Sequence, residues 1–494
     1  MTDTDVVDEK PNPQSPAPNT SARGGGDDHH QFSKDQTLST EFVEAVAAAV
    51  NTGEREMLVG HIQDLHPADT ADLIGLLDTD ARDQFLRLTV DVLKPETLAE
   101  LDEDLRAEVI EAIGPERVAE ALGELETDDA AFVIEDLDEE KRAEILADVP
   151  VEERIAVRAA LDYPEESAGR VMQRDFFAAP GYWNVGQIID RLRSAEELPD
   201  NFYEVFVVDP SFRPIGYVPL SALLKSPRDA IIEKIMSAGD FRKIPVMTDQ
   251  EEVAYLFEQY NLISTPVVDE SQRLVGMITV DDVVEMVRDE THEDMLALAG
   301  VEADTGLSDS VTQTVRSRFS WLAVNLLTAI GASLVISLFD KAIGQVVALA
   351  VLMPIVASMG GNAGTQTLTV AVRSLATKDL TAANAARIIY REAAVGFCNG
   401  VIFAAIMGLL AGIWFYASGW GDQSQALRLG GVVAVAMVIN LLAAGLAGIL
   451  VPLGLQRAGA DPAVSSAVFV TTITDNLGFF VFLALAALVL LPAV

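Results

Sequence analysis

The C-terminal stretch PAVSSAVFVTTITDNLGFFVFLALAALVLLPAV, residues 462–494, decides how this chain folds. It holds one charged side chain, Asp475, in a run that is otherwise uncharged and long enough to cross a bilayer as a helix. A carboxylate near the middle of a membrane is costly unless it faces water, a partner group or an ion. Asp475 therefore predicts a polar path through the membrane that attracts a cation. An Asp that is hydrogen-bonded to another helix is the alternative.

Four further uncharged stretches precede this one and are long enough to span a hydrocarbon core of about 30 Å, which takes about 20 helical residues. The five predicted spans are 319–339, 342–360, 393–418, 429–455 and 463–492. With five spans, the basic residues of the short connections all fall on the side of the N-terminal half. The positive-inside rule then places the N-terminal domains in the cytoplasm and the C-terminus outside.

Charge divides the chain into two parts. From residue 316 onward there are nine Lys and Arg and six Asp and Glu, so this part is near +3. Because the whole chain carries −41, the first 315 residues carry about −44. Such a field repels nucleic acid and anionic lipid and concentrates cations. Acidity that only confers solubility is the ordinary explanation, and the membrane carboxylate argues for a more specific one.

The available side chains favour a hard cation and argue against an enzyme. Thr471 and Thr472 lie within a turn of Asp475 and add oxygens to its carboxylate, and oxygen ligands suit Mg²⁺ or Ca²⁺. None of the five His lies in a predicted span, and the single cysteine makes no internal disulfide. The sequence contains no nucleophile–base pattern and no Walker-type phosphate loop.

A glycine-rich segment, MGGNAGTQT at residues 359–367, follows the second predicted span. Small residues let backbones approach closely at a helix crossing or beside a pore. Irregular backbone at membrane depth is tolerated only where it is buried in protein or lines water. We expect Gly361 and Asn362 to line the pore, together with Thr471 and Thr472. Pro354 predicts a kink in the span.

The soluble half contains a helical module and an internal repeat. Residues 40–161 read as short, capped amphipathic helices in a solenoid-like stack. Residues 206–218 (FVVDPSFRPIGYV) match 266–278 (PVVDESQRLVGMI) at an offset of 60, each copy reading strand, turn, strand and helix. This pattern resembles a pair of cystathionine-β-synthase-type (CBS) domains, which regulate partners and often bind adenine nucleotides in their cleft.

The CBS resemblance places nucleotide contacts on the second copy, in GMITVDD at residues 276–282. Gly276, Thr279 and Asp282 match the family's ribose- and phosphate-contacting turn, whereas the first copy lacks the Thr and the Asp. Asp282 also fits a helix N-terminus, where the macrodipole favours a carboxylate. The two roles are compatible.

The helix that follows, at residues 281–294, carries clustered carboxylates at helical spacing yet leads towards the membrane. A solvated charged face is one explanation. The alternative is that a divalent cation offsets repulsion between this face and a second acidic surface. Candidates for that surface are Asp128 with Asp129, and Glu251 with Glu252.

The order of parts resembles the MgtE family of Mg²⁺ channels and transporters, most specifically in 359–367 and in 461–475 (DPAVSSAVFVTTITD). The resemblance implies a homodimer with the pore on the dimer axis, Asp475 as the pore carboxylate of each copy, and residues 282–300 as a "plug" helix. Phe132 and Asn261 stand where further acidic ligands are expected. The regulatory Mg²⁺ ligands that the resemblance implies are Asp128, Glu251, Asp282, Glu285, Glu290 and Asp294.

The fold class that we expect is a multidomain membrane protein: an all-α superhelical N-domain, an α+β tandem CBS pair and a five-helix transmembrane domain. The expected function is Mg²⁺ uptake through a homodimeric pore in the plasma (inner) membrane that closes when cytosolic Mg²⁺ is high. The alternative is a membrane-anchored nucleotide or energy sensor without ion flux.

The expected partners are Mg²⁺, ATP at the CBS pair, the lipid bilayer and a second copy, with no nucleic acid. The predicted segments are 1–38 (disordered tail), 39–165 (N-domain), 166–225 and 226–285 (CBS domains), 280–315 (plug and connecting helix) and 316–494 (membrane domain).

Overall fold

The computed structural model describes residues 31–32, 37–194, 202–239, 241–301 and 311–491. The predicted tail 1–38 lies almost entirely outside these residues, and so does part of the predicted connection at 280–315. The chain forms two compact units. The first runs to Asp102 and includes Glu108–Gly114, and the second holds Glu103–Ala107 and everything from Pro115 onward.

The first unit is built from short helices with local caps. The Ser39 side chain accepts a hydrogen bond from the Phe42 N–H, and the Asp78 side chain accepts one from the Ala81 N–H, so both helix starts satisfy an otherwise unpaired donor. Phe85 is among the largest fully buried side chains of the unit. The elements are α1 (Thr40–Thr52), α2 (Arg55–Ile62), α3 (Pro67–Leu76), α4 (Thr79–Thr89), a 3-10 helix (Pro95–Leu98) and the second half of α5 (Glu103–Ile113).

The second unit opens with four more helices of the same kind: α6 (Pro115–Leu122), α7 (Thr127–Glu135), α8 (Glu139–Asp148) and α9 (Val151–Leu161). Helix α7 packs on α9, and α6 packs on α8. The predicted series of short amphipathic helices is confirmed. At Phe132, where an acidic ligand was expected, the Arg106 guanidinium lies 3.9 Å from the ring centroid.

The 60-residue repeat corresponds to two three-stranded sheets of the same topology. In each sheet the first strand runs parallel and the third antiparallel to the central strand. The first copy holds β1 (Ala178–Pro180), α10 (Val185–Ser194), β2 (Glu204–Val208), β3 (Pro214–Pro219), α11 (Leu220–Lys225) and α12 (Ile232–Ile235). The second holds β4 (Ile244–Pro245), α13 (Gln250–Tyr260), β5 (Ser264–Val268) and β6 (Leu274–Thr279).

Each copy is closed by the chain segment that leads into the other copy. The backbones of Tyr217 and Ser237 exchange hydrogen bonds, and those of Met277, the residue 60 positions after Tyr217, and Gln173 do the same. A Cβ added to the glycine that precedes Tyr217 or Met277 would collide with a backbone carbonyl oxygen of the paired segment. At Gly276 it would lie 2.7 Å from the Gln173 carbonyl oxygen and 2.7 Å from the Met172 sulfur. Glycine is therefore required here by close approach of two chain segments.

Helix α14 (Val280–Ala299) follows β6, begins with a capping box and ends at Gly300 in the left-handed conformation. It packs against the last membrane helix. The described residues contain five helices long and apolar enough to cross a membrane. The C-terminal elements are α15 (Val311–Ser337), the short α16 (Asp340–Gln345), α17 (Ala348–Ala376), α18 (Ala385–Ala417), α19 (Gln423–Arg457) and α20 (Pro462–Leu490).

One expectation for the membrane part is wrong. The segment 359–367 does not follow the second span but lies inside α17, which continues as a helix to Ala376. Glycine is a poor helix former in water. Here α19 and α20 pack closely against the glycine face of α17, and this tertiary packing outweighs the low helix propensity of glycine.

We expect Gly276→Ala to destabilise the second unit by about 1–3 kcal/mol, because its methyl group would overlap backbone that cannot move without breaking the pairing. The measurement is the thermal unfolding midpoint of the full chain in detergent. Gly60→Ala is the matched control, since a Cβ there meets nothing within 4 Å and lies within α2. Equal midpoints for the two variants would contradict this account of the repeat.

Candidate functional site

Asp475 lies on α20, 13 residues after the helix starts at Pro462, or about 20 Å along its axis. The carboxylate is half-buried and, among the described residues, has no hydrogen-bond donor and no basic side chain as a partner. The described part of the chain therefore contains no hydrogen bond between Asp475 and another helix, which was the alternative interpretation.

The polar neighbours of Asp475 direct their donors back into their own helix. The Thr472 hydroxyl donates to the Val468 carbonyl oxygen at 2.6 Å, and the Asn476 side-chain amide donates to the Thr472 carbonyl oxygen at 2.8 Å. Because the hydroxyl hydrogen of Thr472 is used in this way, the lone pairs of its oxygen point outward as acceptors. The turn around Asp475 thus presents oxygen to whatever lies beside it, which suits a cation.

The glycines of α17 bring that helix close to α19 and α20. A Cβ on Gly364 would lie 2.6 Å from the side chain of Val470, which lies on α20 five residues before Asp475. Gly361 differs, because a Cβ there would meet nothing within 4 Å, and Asn362 is exposed. Of the residues predicted to line the pore, Gly361, Asn362, Thr471 and Thr472 are all at least partly accessible.

A first group of carboxylates meets where α7 approaches the start of α14. We call it the α7–α14 acidic contact and define it as Glu126, Asp128, Asp129, Asp281 and Asp282. The side-chain amide of Gln173 joins its two sides, donating to Glu126 and, at 3.4 Å, to Asp282 Oδ2. The structure thus brings together the predicted residues Asp128 and Asp282, which are 154 positions apart in the chain.

Burial and mutual repulsion dominate the electrostatics of this contact. Burial, with Asp282 as the largest charged neighbour, raises the pKa of Glu126 to about 7. Burial raises the pKa of Asp282 to about 6, although hydrogen bonds from Thr279 oppose the shift. Burial also raises the pKa of Asp128 well above its usual range, and Asp128 Oδ1 is buried without a hydrogen-bond partner in the described part of the chain. The contact stores unfavourable charge that a cation would offset.

A second group, the α13–α14 acidic contact, consists of Glu251, Glu290, Asp294 and Asp461. The Gln250 side-chain amide donates to Glu290 Oε1 at 2.6 Å. Burial, followed by the charge of Glu251, raises the pKa of Glu290 to about 7. Burial is also the largest cause of the raised pKa of Asp294, with Asp461 second. This contact therefore joins the CBS pair, α14 and the first residue before α20.

One predicted ligand lies outside these groups, and three members of the groups were not predicted. Glu285 lies on the exposed side of α14, with its carboxylate 3.6 Å from Arg288. Glu126, Asp281 and Asp461 were not predicted as ligands. Asp461 caps α20 by accepting a hydrogen bond from the Ala463 N–H at 2.8 Å, and Glu126 stands at the corresponding position before α7. Only their three-dimensional neighbours distinguish them from ordinary acidic residues at helix starts.

Neither contact is a finished coordination shell. In the ranges that the structure describes, no three His, Cys, Asp or Glu side chains converge closely enough to hold a metal ion. The donor set nevertheless fits Mg²⁺, because every group is a hard oxygen and Mg²⁺ commonly keeps several waters and takes one or two carboxylates. The unpartnered Asp128 Oδ1 is one such oxygen.

The predicted nucleotide residues do not face the main cleft of the CBS pair. The Thr279 hydroxyl is buried and donates to Asp282 Oδ2 at 2.8 Å within the capping box, and Gly276 packs on Gln173. A cavity of about 720 Å³ lies instead between the two copies and is lined by residues of both. Its lining includes Tyr203, Glu204, Tyr217, Ser221, Phe241, Arg242 and Tyr260. The turn of the second copy takes part in the α7–α14 acidic contact. The sequence repeat alone could not show this.

Three family models match the chain. The model described as "Divalent cation transporter" (MgtE) matches residues 353–485, the "MgtE intracellular N domain" matches 65–166, and the "CBS domain" matches 231–289. The "Magnesium transporter MgtE" of Bacillus subtilis (strain 168) is 30% identical over 431 residues, which cover 86% of this chain and 92% of the relative. The protein of the same name from Thermus thermophilus is 32% identical over 339 residues, covering 68% and 73%.

Two solved structures are similar to parts of the chain. The cytosolic domain of the Mg²⁺ channel MgtE in complex with ATP is 28% identical, with a TM-score of 0.45, and the match covers 49% of this chain and 99% of that one. The soluble part of a magnesium transporter is 23% identical, with a TM-score of 0.44, and covers 51% and 98%.

We expect the α7–α14 acidic contact to weaken as pH rises when Mg²⁺ is absent. The pKa values of Glu126 and Asp282, about 7 and about 6, exceed their ordinary values of 4.5 and 3.8. The contact therefore has its full stability below the ordinary values and loses it as pH rises through 6 and 7. Hydrogen exchange of residues 280–286, compared at about pH 5 and about pH 8 and corrected for intrinsic rates, reports the opening.

Glu126→Gln should remove much of that pH dependence, whereas Glu140→Gln, at an exposed position on α8, should leave it intact. Protection that is the same at both pH values in the parent protein would show that repulsion does not govern this contact.

Proposed function

The chain belongs to the MgtE family of divalent cation transporters, and we propose that it is a Mg²⁺-selective channel that admits Mg²⁺ to the cytoplasm and closes when cytosolic Mg²⁺ is high. The observation that carries the proposal is Asp475, a membrane carboxylate without a partner in the described residues. Two curated relatives named as magnesium transporters support the choice of ion. The protein is an integral membrane protein. The proposed orientation puts the acidic domains in the cytoplasm and the C-terminus outside.

The proposed pore lies between two copies of the chain. Helix α15 is largely exposed and packs mainly on α20, so a second copy as well as lipid can cover it. A homodimer supplies two Asp475 carboxylates at one depth. Mg²⁺ gives up water reluctantly, so these groups would bind the hydrated ion through its water shell, weakly enough for release.

Gating follows from the two acidic contacts. Bound Mg²⁺ would be held by carboxylates of the α7–α14 and α13–α14 acidic contacts and would supply positive charge that offsets their repulsion. A ligand shifts a two-state equilibrium only by its differential affinity, and both contacts bind a cation better when assembled. Without the cation the contacts separate. Because Asp461 directly precedes α20, this separation changes the start of the helix that carries Asp475.

The cavity between the two CBS copies supports adenine nucleotide binding as a second input. Aromatic rings suit a base, and the Arg242 guanidinium, 4.2 Å from the centroid of the Tyr260 ring, suits a phosphate. ATP is the proposed ligand, as in the solved cytosolic domain of an MgtE channel. The site that we propose is this cavity rather than the predicted Gly276, Thr279 and Asp282 turn.

We expect Asp475→Asn and Asp475→Ala to lower Mg²⁺ uptake into proteoliposomes by about tenfold or more, equivalent to about 1.4 kcal/mol or more of lost interaction with the ion. The reason is that the charge that attracts the dication is gone. Asp340→Asn, which changes an exposed carboxylate at the start of α16, is the matched control. Uptake by the alanine variant at the parent rate would refute the pore assignment, and a parent without flux would favour a sensor that is only anchored in the membrane.

We expect the triple change Glu251→Gln, Glu290→Gln and Asp294→Asn to shrink the difference in flux between low and high cytosolic Mg²⁺ by about tenfold, a loss of about 1.4 kcal/mol of coupling. Neutral side chains neither repel one another nor need a cation. The measurement is flux against the Mg²⁺ concentration on the cytosolic face.

Glu270→Gln, at an exposed turn of the same CBS domain, controls for a general charge effect. Inhibition by cytosolic Mg²⁺ that is unchanged in the triple variant would disprove the gating role of this contact.

A further inference from the structure

Asn440 lies near the middle of α19, at the depth where polar side chains are most costly, and its side chain is completely buried (0% exposed). It is the buried amide at the place where α17, α19 and α20 meet. An apolar residue of the same shape would avoid the desolvation cost, so the amide needs an explanation.

Two glycines make room for this side chain. A Cβ on Gly360 of α17 would lie 2.2 Å from Asn440 Nδ2, and a Cβ on Gly478 of α20 would lie 2.8 Å from the same atom. Both distances are impossible for real atoms, so the amide occupies the space that the missing side chains leave. Asn440 is therefore held between the backbones of the two neighbouring helices.

In the described residues, only the nitrogen of the Asn440 amide takes part in a hydrogen bond. Asn440 Nδ2 donates to the Val356 carbonyl oxygen at 2.9 Å, whereas Asn440 Oδ1 is buried and has no hydrogen-bond partner among the residues that the structure describes. An unsatisfied buried acceptor costs stability. The best-attested use of a buried amide is to fix the register of packed helices, because a shifted register would leave the donor unpaired as well.

Both contacts of Asn440 adjoin the proposed pore. Gly360 directly precedes Gly361 and Asn362, and Gly478 stands three residues after Asp475, almost one turn along α20. The position of Asn440 thus sets how the Asp475 turn of α20 stands relative to the glycine-rich turn of α17. A displacement at this point moves the carboxylate relative to the other pore-lining residues.

We propose that Asn440 is a positioning residue for cation selectivity: it fixes α17 and α20 in the register that holds Asp475 at the distance suited to hydrated Mg²⁺. This inference rests on the proposed function, since it concerns which ions pass rather than whether ions pass. Asn440 itself is buried and does not touch the ion.

The test is Asn440→Leu, which keeps the branched shape and removes the donor. We expect the ratio of Mg²⁺ to Ca²⁺ uptake in proteoliposomes to fall by about tenfold, because a site whose supporting shell is lost becomes too loose. The thermal midpoint of the protein should stay unchanged or rise. Asn399→Leu, at an exposed position on α18, should change neither quantity.

A leucine variant with the parent's ion ratio overturns the inference and leaves the proposed function standing, whereas a parent that carries no divalent cation overturns both. If the leucine variant does not fold, Asn440→Ala is measured in the same assay with the same criterion.

A second experiment tests the contact without any flux. Gly478→Ala should lower the thermal midpoint, since its methyl group would overlap the Asn440 amide. Adding Asn440→Ala should restore much of the lost thermal midpoint, because removing the Asn440 amide leaves room for the methyl group added by Gly478→Ala. A double variant no more stable than Gly478→Ala would show that Asn440 does not occupy this space, and would overturn the inference.

Discussion

Uncompensated negative charge is the constraint on which the rest of this structure depends. It occurs in the membrane, where the Asp475 carboxylate has no partner in the described residues, and in the soluble part, where carboxylates face one another across two contacts. In each place burial raises the energy of the charged form, and a dication lowers it. This distribution of charge supports the proposal that conformation and transport respond to the same ion.

Helix α20 connects these places mechanically. Its first turn follows Asp461, a member of the α13–α14 acidic contact, and Asp475 lies 14 residues further on, about 21 Å along the axis. Helix α14 packs against α20 and takes part in both acidic contacts. In the proposed gating, a change in cation occupancy at these contacts reaches the membrane carboxylate through two helices and no long loop. Rigid elements of this kind transmit displacement with little loss.

Close packing determines how the membrane helices are positioned relative to one another. There is little hydrophobic driving force between helices in lipid, so small residues and buried polar groups decide how the helices meet. The glycines of α17 and α20 fit around Asn440, and Gly364 fits against Val470. These contacts account for a glycine-rich stretch that remains helical throughout.

Much of this protein could be predicted from the sequence, because the relevant signals are local or periodic. Uncharged runs gave the five spans, an offset of 60 gave the two sheets, and one charged residue in an apolar run pointed to Asp475. The tertiary structure alone decided that 359–367 lies within a helix, that the cavity of the CBS pair is lined by both copies, and that Glu126, Asp461 and Asn440 lie at the contacts described above. Each of these depends on which residues, distant in the chain, become neighbours, and neither hydrophobic period nor helix propensity carries that information.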